Sequence, residues 1–217
     1  AAVADAAVTA CLARVLESTK ERGASAVHVG AKLHEGETRM REAYERAGLE
    51  VESTYWLMQV PLSQAVPLDT SLASAGARLA KVDPRDDAIL AVVHRLLGET
   101  FSEHHGIGHE EQSFSDYAEF VRTAEKFDPE SWWLAYDGDT AVGVLIGDDR
   151  RLTMGVGYIG RVGVRKQYRG RGIARALLLS AFADYRARGR TTVQLRVDGD
   201  NTTGATRLYE SVGMRSI

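Results

Sequence analysis

Arg161-Val-Gly-Val-Arg-Lys-Gln-Tyr-Arg-Gly-Arg-Gly-Ile-Ala174 is a strand pattern that runs into a glycine-punctuated basic loop and then into a helix. Gly170 and Gly172 remove side chains where a ligand must touch the backbone. The helix opening near Ile173 points unpaired N–H groups and its positive dipole end at that place, which makes the stretch an anion cradle. Arg165, Lys166, Arg169, Arg171 and Arg175 add mobile positive charge around it. The order Gln167-x-x-Gly170-x-Gly172, followed by Ala174, fits neither of the two better-known phosphate loops. No third glycine completes G-x-G-x-x-G, and there is no Gly-Lys-Ser/Thr.

Downstream of the loop comes Leu195-Arg-Val-Asp-Gly-Asp-Asn201, and then Ala205-Thr-Arg-Leu-Tyr209-Glu-Ser-Val-Gly213-Met214. Together with the loop, this segment resembles the GCN5-related N-acetyltransferase (GNAT) superfamily. That superfamily's acetyl-CoA loop reads Gln/Arg-x-x-Gly-x-Gly/Ala between a strand and a helix. It often carries Asn-x-x-x-Ala-x-x-Leu-Tyr-x-x-x-Gly-Phe further on, from which this chain departs only at Met214.

The resemblance implies an α/β (α+β) architecture, the acyl-CoA N-acyltransferase fold, with a mixed, mostly antiparallel sheet flanked by helices. It implies acetyl-CoA as cosubstrate, no metal, and direct acetyl transfer to the primary amine of a small molecule or peptide. The pyrophosphate is then expected on the backbone of Arg169, Gly170, Arg171, Gly172, Ile173 and Ala174, with Gln167 heading the loop. The pantetheine arm is expected along main-chain groups of Val162, Gly163 and Val164, where this strand splays from the next. Asn201 stands at a cofactor-contact position and is equally an ordinary helix N-cap. Tyr209 stands where the family places the acid that protonates the leaving thiolate, and a phenol suits a thiolate of similar basicity. The plain alternative is an amphipathic core tyrosine, as Tyr44 would be in the first half of the chain.

The strand ahead of the loop holds glycines at 155, 157, 160 and 163. Glycine weakens a strand, so four of them point to a bulge or to close approach by another group. Many relatives keep a glutamate on this strand as general base, yet no acid lies between Met154 and Val164. Mycothiol synthase, a tandem-domain relative that this arrangement resembles, has such a glutamate. Tyr158 stands in its place here, and that counts against mycothiol synthesis. Glu103, His104, His105, His109, Glu110 and Glu111 fall in the segment that lines the acceptor side in the superfamily, so a base is expected either from there or from water. A metal site at His105 and His109 is disfavoured by Gly106 and Gly108, which make the segment a loop rather than a helical histidine pair.

The 217 residues carry 27 Lys plus Arg and 30 Asp plus Glu, a net charge of −3, which argues against a general nucleic-acid or membrane surface. A single cysteine, Cys11, excludes an internal disulfide framework; it reads as a small buried thiol in a reducing cytoplasm. No stretch is apolar enough to span a bilayer.

The chain also echoes itself. Arg22-Gly23 precedes a strand candidate (Ala26 to Val29), a turn, a helix containing Ala43-Tyr44-Glu45-Arg46-Ala47-Gly48-Leu49, and a β-rich run from Val51 to Val60. Arg188-Gly189 precedes the same order, ending in Leu208-Tyr209-Glu210-Ser211-Val212-Gly213-Met214. The glycine spacings are 25 and 24, the mark of a diverged repeat with the period of a domain. Residues 1–60 are therefore expected to be the C-terminal half of a first, degenerate or truncated GNAT-like domain, on the order of a hundred residues short of a whole one. Residues 61–76 read as a linker and 77–217 as a GNAT acetyltransferase domain lacking its last strands, in a tandem arrangement.

Within 77–217, Arg78 to Val82 suits a strand, and Asp83-Pro84 suits the start of a helix striped by Ile89, Val92, Val93, Leu96 and Leu97. A second helix enters through Ser115-Asp116. Trp132 to Tyr136 and Thr140 to Ile146 form a hairpin about Asp137-Gly138, with one tryptophan facing the core and its neighbour facing out. The competing functional reading is a non-catalytic CoA-binding or regulatory module, and a third is nucleotide binding through the same loop.

Overall fold

A computed structural model describes residues 2–21, 33, 37–51, 54–67, 76–101, 113–199 and 204–217. The expected strand at 26–29 lies outside these. The chain divides into two compact units, 1–52 and 53–217.

In the first unit, α1 (Ala2–Glu21) and α2 (Thr38–Arg46) are joined by the Arg46 guanidinium on Asp5 Oδ1, at 3.0 and 2.7 Å. Val8 and Ala43 are buried, but Val15 and Leu16 of the expected apolar stripe are exposed. So is Cys11, against the buried thiol expected.

The second unit is built on one seven-stranded sheet. Its strands are β1 (Tyr55–Pro61), β2 (Arg78–Lys81), β3 (Phe127–Asp137), β4 (Thr140–Asp148), β5 (Val156–Val164), β6 (Thr192–Asp198) and β7 (Arg215–Ser216). Their order is β2-β3-β4-β5-β6-β1-β7. All neighbours are antiparallel except β5 and β6. A parallel pair needs a crossover, and α5 (Ile173–Ala187) provides it.

Two apolar clusters cover the two faces. Ile173, Leu177, Leu178, Ala181, Phe182 and Tyr185 of α5 share one with Tyr209 of α6 (Ala205–Ser211), Met58 and Val60 of β1, and Val193, Leu195 and Val197 of β6. Leu90, Val93 and Leu96 of α3 (Asp87–Phe101) and Tyr117 and Val121 of α4 (Phe114–Thr123) share the other with Trp132, Leu134 and Val144. Because both faces are covered, Trp133 does not face solvent as expected; it packs on the α5 side.

The hairpin turns where expected, with Asp137 paired to Thr140 and Gly138 at φ +56. The helix starts fall later or earlier than read. Asp86, not Asp83, caps α3, its Oδ1 accepting from Ala88 N–H at 2.8 Å. Asp83 instead closes the preceding turn on Arg85. Ser113, two residues ahead of Ser115, caps α4 by accepting from Asp116 N–H.

The strand at 55–61, assigned above to the first segment and the linker, sits inside the second unit's sheet between β6 and β7. Beyond it Leu62 and Ala65 are core residues. A chain starting at Gly76 is accordingly expected to lose cooperative folding. It forfeits burial of Met58, Val60 and Leu62, about 1.5–3 kcal/mol each, against a total stability of about 5–15 kcal/mol. A thermal melt followed by circular dichroism checks this; a parent-like cooperative transition would contradict it.

Two of the strand glycines exist for one tyrosine. A Cβ at Gly157 would stand 2.6 Å from the Tyr185 ring, and one at Gly147 would stand 2.1 Å from its hydroxyl, which donates to the Tyr158 carbonyl at 2.9 Å. Gly157→Ala is expected to cost about 1–3 kcal/mol by overpacking, read as a lower urea midpoint at unchanged m-value.

Candidate active site at a split between parallel strands

Pairing of β5 with β6 runs from Val156 opposite Thr192 to Ile159 opposite Leu195 and stops there, although both strands continue. A bulge parts them. On the β4 side Gly147 pairs with Ile159 and Ile146 with Arg161, so Gly160 is the extra residue. A bulge bends its strand and sharpens the local twist. Past it, β5 pairs only with β4 and β6 only with β1, which leaves a gap between the two strands.

Alternate residues of an antiparallel ladder bond the same neighbour. Arg165 N–H donates to Val142 C=O at 2.9 Å, so Gly163 also bonds toward β4, and Val162 and Val164 turn their main-chain groups to the gap. The Val164 carbonyl accepts from Arg169 Nε at 3.1 Å. Gly163 instead makes room for α3, since a Cβ there would meet Thr100 Oγ1 at 2.6 Å.

Beyond Val164 the chain makes a 3₁₀ turn, Lys166–Tyr168. Gly170 and Gly172 follow at φ +77 and +81, the left-handed region that favours glycine. Gly172 is the N-cap of α5, and no side chain caps the helix. Ala176 N–H makes the bond to Gly172 C=O at 2.9 Å, so the N–H groups of the first turn are left for an anion. Ile173 is buried and anchors this turn, with Ala174 half-buried beside it. Gln167, Arg169, Gly170 and Arg171 are exposed, and the Arg171 guanidinium lies 4.9 Å from the Tyr168 ring centre. Arg165 is not the mobile charge expected. Glu99 of α3 holds it through two bonds, at 2.6 and 3.1 Å.

Tyr209 is 7% exposed and belongs to the same cluster as Val164, Ile173 and Val197. Burial pushes its phenol up to about 12. Asn201 and the segment from Glu103 to Glu111 lie outside the described residues. Among the described residues no group of three His, Cys, Asp or Glu could hold a metal ion, and no helix is long and apolar enough to cross a membrane.

The sequence reading missed two polar groups near the split. Asp148 Oδ2, from β4, comes within 3.3 Å of where a Cβ on Gly160 would stand. It is held by Arg150 Nε at 2.9 Å, and the Arg150 guanidinium lies 4.2 Å from the Tyr158 ring centre. A carboxylate therefore reaches the acid-free strand from its neighbour. The second is Gln194, 5% exposed, whose Nε2 donates to Gln59 Oε1 at 2.7 Å. No local sequence signal announces either, since each depends on strand pairing.

The mixed sheet, split between two parallel strands with an uncapped helix start at the head of the gap, is the arrangement that the resemblance to the acetyltransferase superfamily led one to expect. The sequence pattern of the acetyltransferase (GNAT) family matches residues 90–214, and the chain belongs to that family. It is 33% identical over 174 residues to a mycothiol acetyltransferase of Thermobispora bispora, covering 76% of this chain and 55% of that protein. Among solved structures it resembles a GCN5-related N-acetyltransferase from Sphaerobacter thermophilus, with TM-score 0.66, 32% identity, and coverage of 83% of this chain and 53% of that one. A glucosamine N-acetyltransferase region of a fungal multi-domain β-N-acetylglucosaminidase shares the fold at TM-score 0.59 and 16% identity, covering 87% of this chain and 23% of that one. The chain thus spans about half the length of the Thermobispora and Sphaerobacter proteins.

Proposed function

We propose that the second unit transfers the acetyl group of acetyl-CoA directly to a primary amine. The observation that carries this reading is the split beyond Ile159 and Leu195 with the uncapped start of α5 at its head. The pyrophosphate rests on N–H groups from Arg169 to Ala174, and the pantetheine arm lies along Val162 and Val164. The amine nitrogen bonds to the thioester carbonyl carbon, the carbon–sulfur bond breaks, and the thiolate takes a proton from Tyr209 while the amine's proton leaves to water. An ordinary thiol titrates near pH 8.5, below this phenol, so proton transfer to the thiolate runs uphill unless the departing thiol is buried as well. With its phenol at about 12, Tyr209 keeps its proton over the whole working range.

The glycine-spaced echo between the two halves supports reading the first unit as GNAT-like, in tandem with the second. Mycothiol's amine precursor is the first acceptor to try, given the relatives' name, with Tyr158 at the glutamate position as the departure that counts against it. Calorimetric titration tests the cofactor half of the proposal. Acetyl-CoA is expected to bind with micromolar affinity and ATP at least tenfold more weakly; equal affinities would favour nucleotide binding instead.

A further inference from the structure

A cavity of about 260 Å³ lies between α3 and the end of the β3–β4 hairpin, beside Arg165. It is on the β4 side of β5, whereas the split opens on the other side of that strand. Val92, Arg95, Leu96 and Glu99 stand at i, i+3, i+4 and i+7 of α3 and so share one side of the helix. The hairpin register sets Tyr136 opposite Ala141, and both pack on the cluster of α3 and α4. The Arg78 guanidinium backs the Tyr136 ring, 4.5 Å from its centre.

The lining joins three kinds of surface. Val92, Leu96 and the Tyr136 ring are its apolar part, Arg95 and Arg165 bring two guanidiniums, and Asp139 brings a carboxylate from the hairpin turn. Arg95 and Asp139 are exposed, and among the described residues neither side chain has a hydrogen-bond or ion-pair partner. Arg165 is engaged only in part. Glu99 takes its Nε and Nη2 bonds, and a guanidinium has five N–H donors, so the Nη1 end stays available. A plain anion would be drawn to the arginines but repelled by Asp139, and a plain amine would meet the reverse. Such like-charge contacts select against a partner. A ligand with both signs close together and an apolar tail satisfies all three surfaces.

We infer that this cavity binds a free α-amino acid with an apolar side chain, as a ligand separate from both the thioester cofactor and the amine acceptor. Its carboxylate bridges Arg95 and Arg165, its ammonium pairs with Asp139, and its side chain lies on Val92, Leu96 and Tyr136. The volume falls below the roughly 300–1,000 Å³ of sites for drug-sized ligands, which suits a molecule the size of leucine. The inference stands independently of the acetyl-transfer reading.

Titration calorimetry on the whole chain, with and without saturating CoA, tests it with three probes: L-leucine, isocaproate, which lacks the ammonium, and isoamylamine, which lacks the carboxylate. Leucine is expected to bind with a Kd on the order of 0.1 mM, and each analogue about tenfold more weakly or worse, having lost a charge-assisted bond. Arg95→Ala and Asp139→Asn, both at exposed positions, should each weaken leucine about tenfold and leave the Kd for CoA within about twofold, as expected of separate sites. No leucine binding, an analogue that binds as tightly as leucine, or an unchanged leucine Kd in both variants overturns the site. Loss of leucine binding once CoA is bound would put the ligand in the cofactor cleft, and N-acetylleucine formed with acetyl-CoA would make leucine an acceptor; either result overturns it too. If CoA itself does not bind, the titrations without CoA decide.

Discussion

Tyr209→Phe is expected to lower kcat about 100-fold, the low end of what a positioned acid contributes, while the affinity for acetyl-CoA stays within about threefold. The ring that fills the cluster remains and only the hydroxyl is lost, so folding should survive. The pH dependence separates this from a packing defect. Because burial holds the phenol at about 12, it stays protonated, and the wild-type rate should rise as the amine loses its proton and then stay level to at least about pH 10. The variant should show the same rise to a lower plateau. A variant with unchanged kcat would remove Tyr209 from the chemistry and leave it as a core residue.

Gly172→Glu should weaken acetyl-CoA binding at least about 100-fold, which corresponds to about 3 kcal/mol. Two effects add. A side chain at φ +81 is strained, by about 1–2 kcal/mol, and a carboxylate at the helix start occupies and repels the place of the pyrophosphate. No atom lies within 4 Å of a Cβ placed there, so steric clash is not a third. Gly172→Ala isolates the strain: it should lower the melting temperature by a few degrees and weaken binding by less than tenfold. Titration calorimetry on both variants distinguishes them, and equal affinities for Glu and Ala would mean that no anion sits at this helix start.

The loop and α5 were legible because their cues are local. Glycines at two positions needing positive φ, basic neighbours and a helical apolar stripe all fall within 25 residues. The alternation of Val193, Leu195 and Val197 was equally plain, and so was the Asp137-Gly138 turn. What stayed hidden depended on partners distant in sequence. Met58 and Val60 announce a strand with one buried face, but nothing in residues 55–61 says that its neighbour is 192–198. The glycines of β5 signalled close approach without naming the visitors, Tyr185 for Gly157 and Thr100 for Gly163. Arg165 counted as free charge until α3 brought Glu99 beside it. The missing acid on β5 looked like an absence until the bulge at Gly160 placed it beside Asp148 of the next strand.

Amine-dependent release of free thiol from acetyl-CoA, with the N-acetylated amine quantified by mass spectrometry in the same reaction, tests the proposed activity most directly. One acetylated amine per thiol, with release falling to background when the amine is left out, is the predicted result. Binding of acetyl-CoA without amine-dependent release across amino sugars, amino acids, peptides and the mycothiol precursor would contradict it, leaving a CoA-binding module in its place.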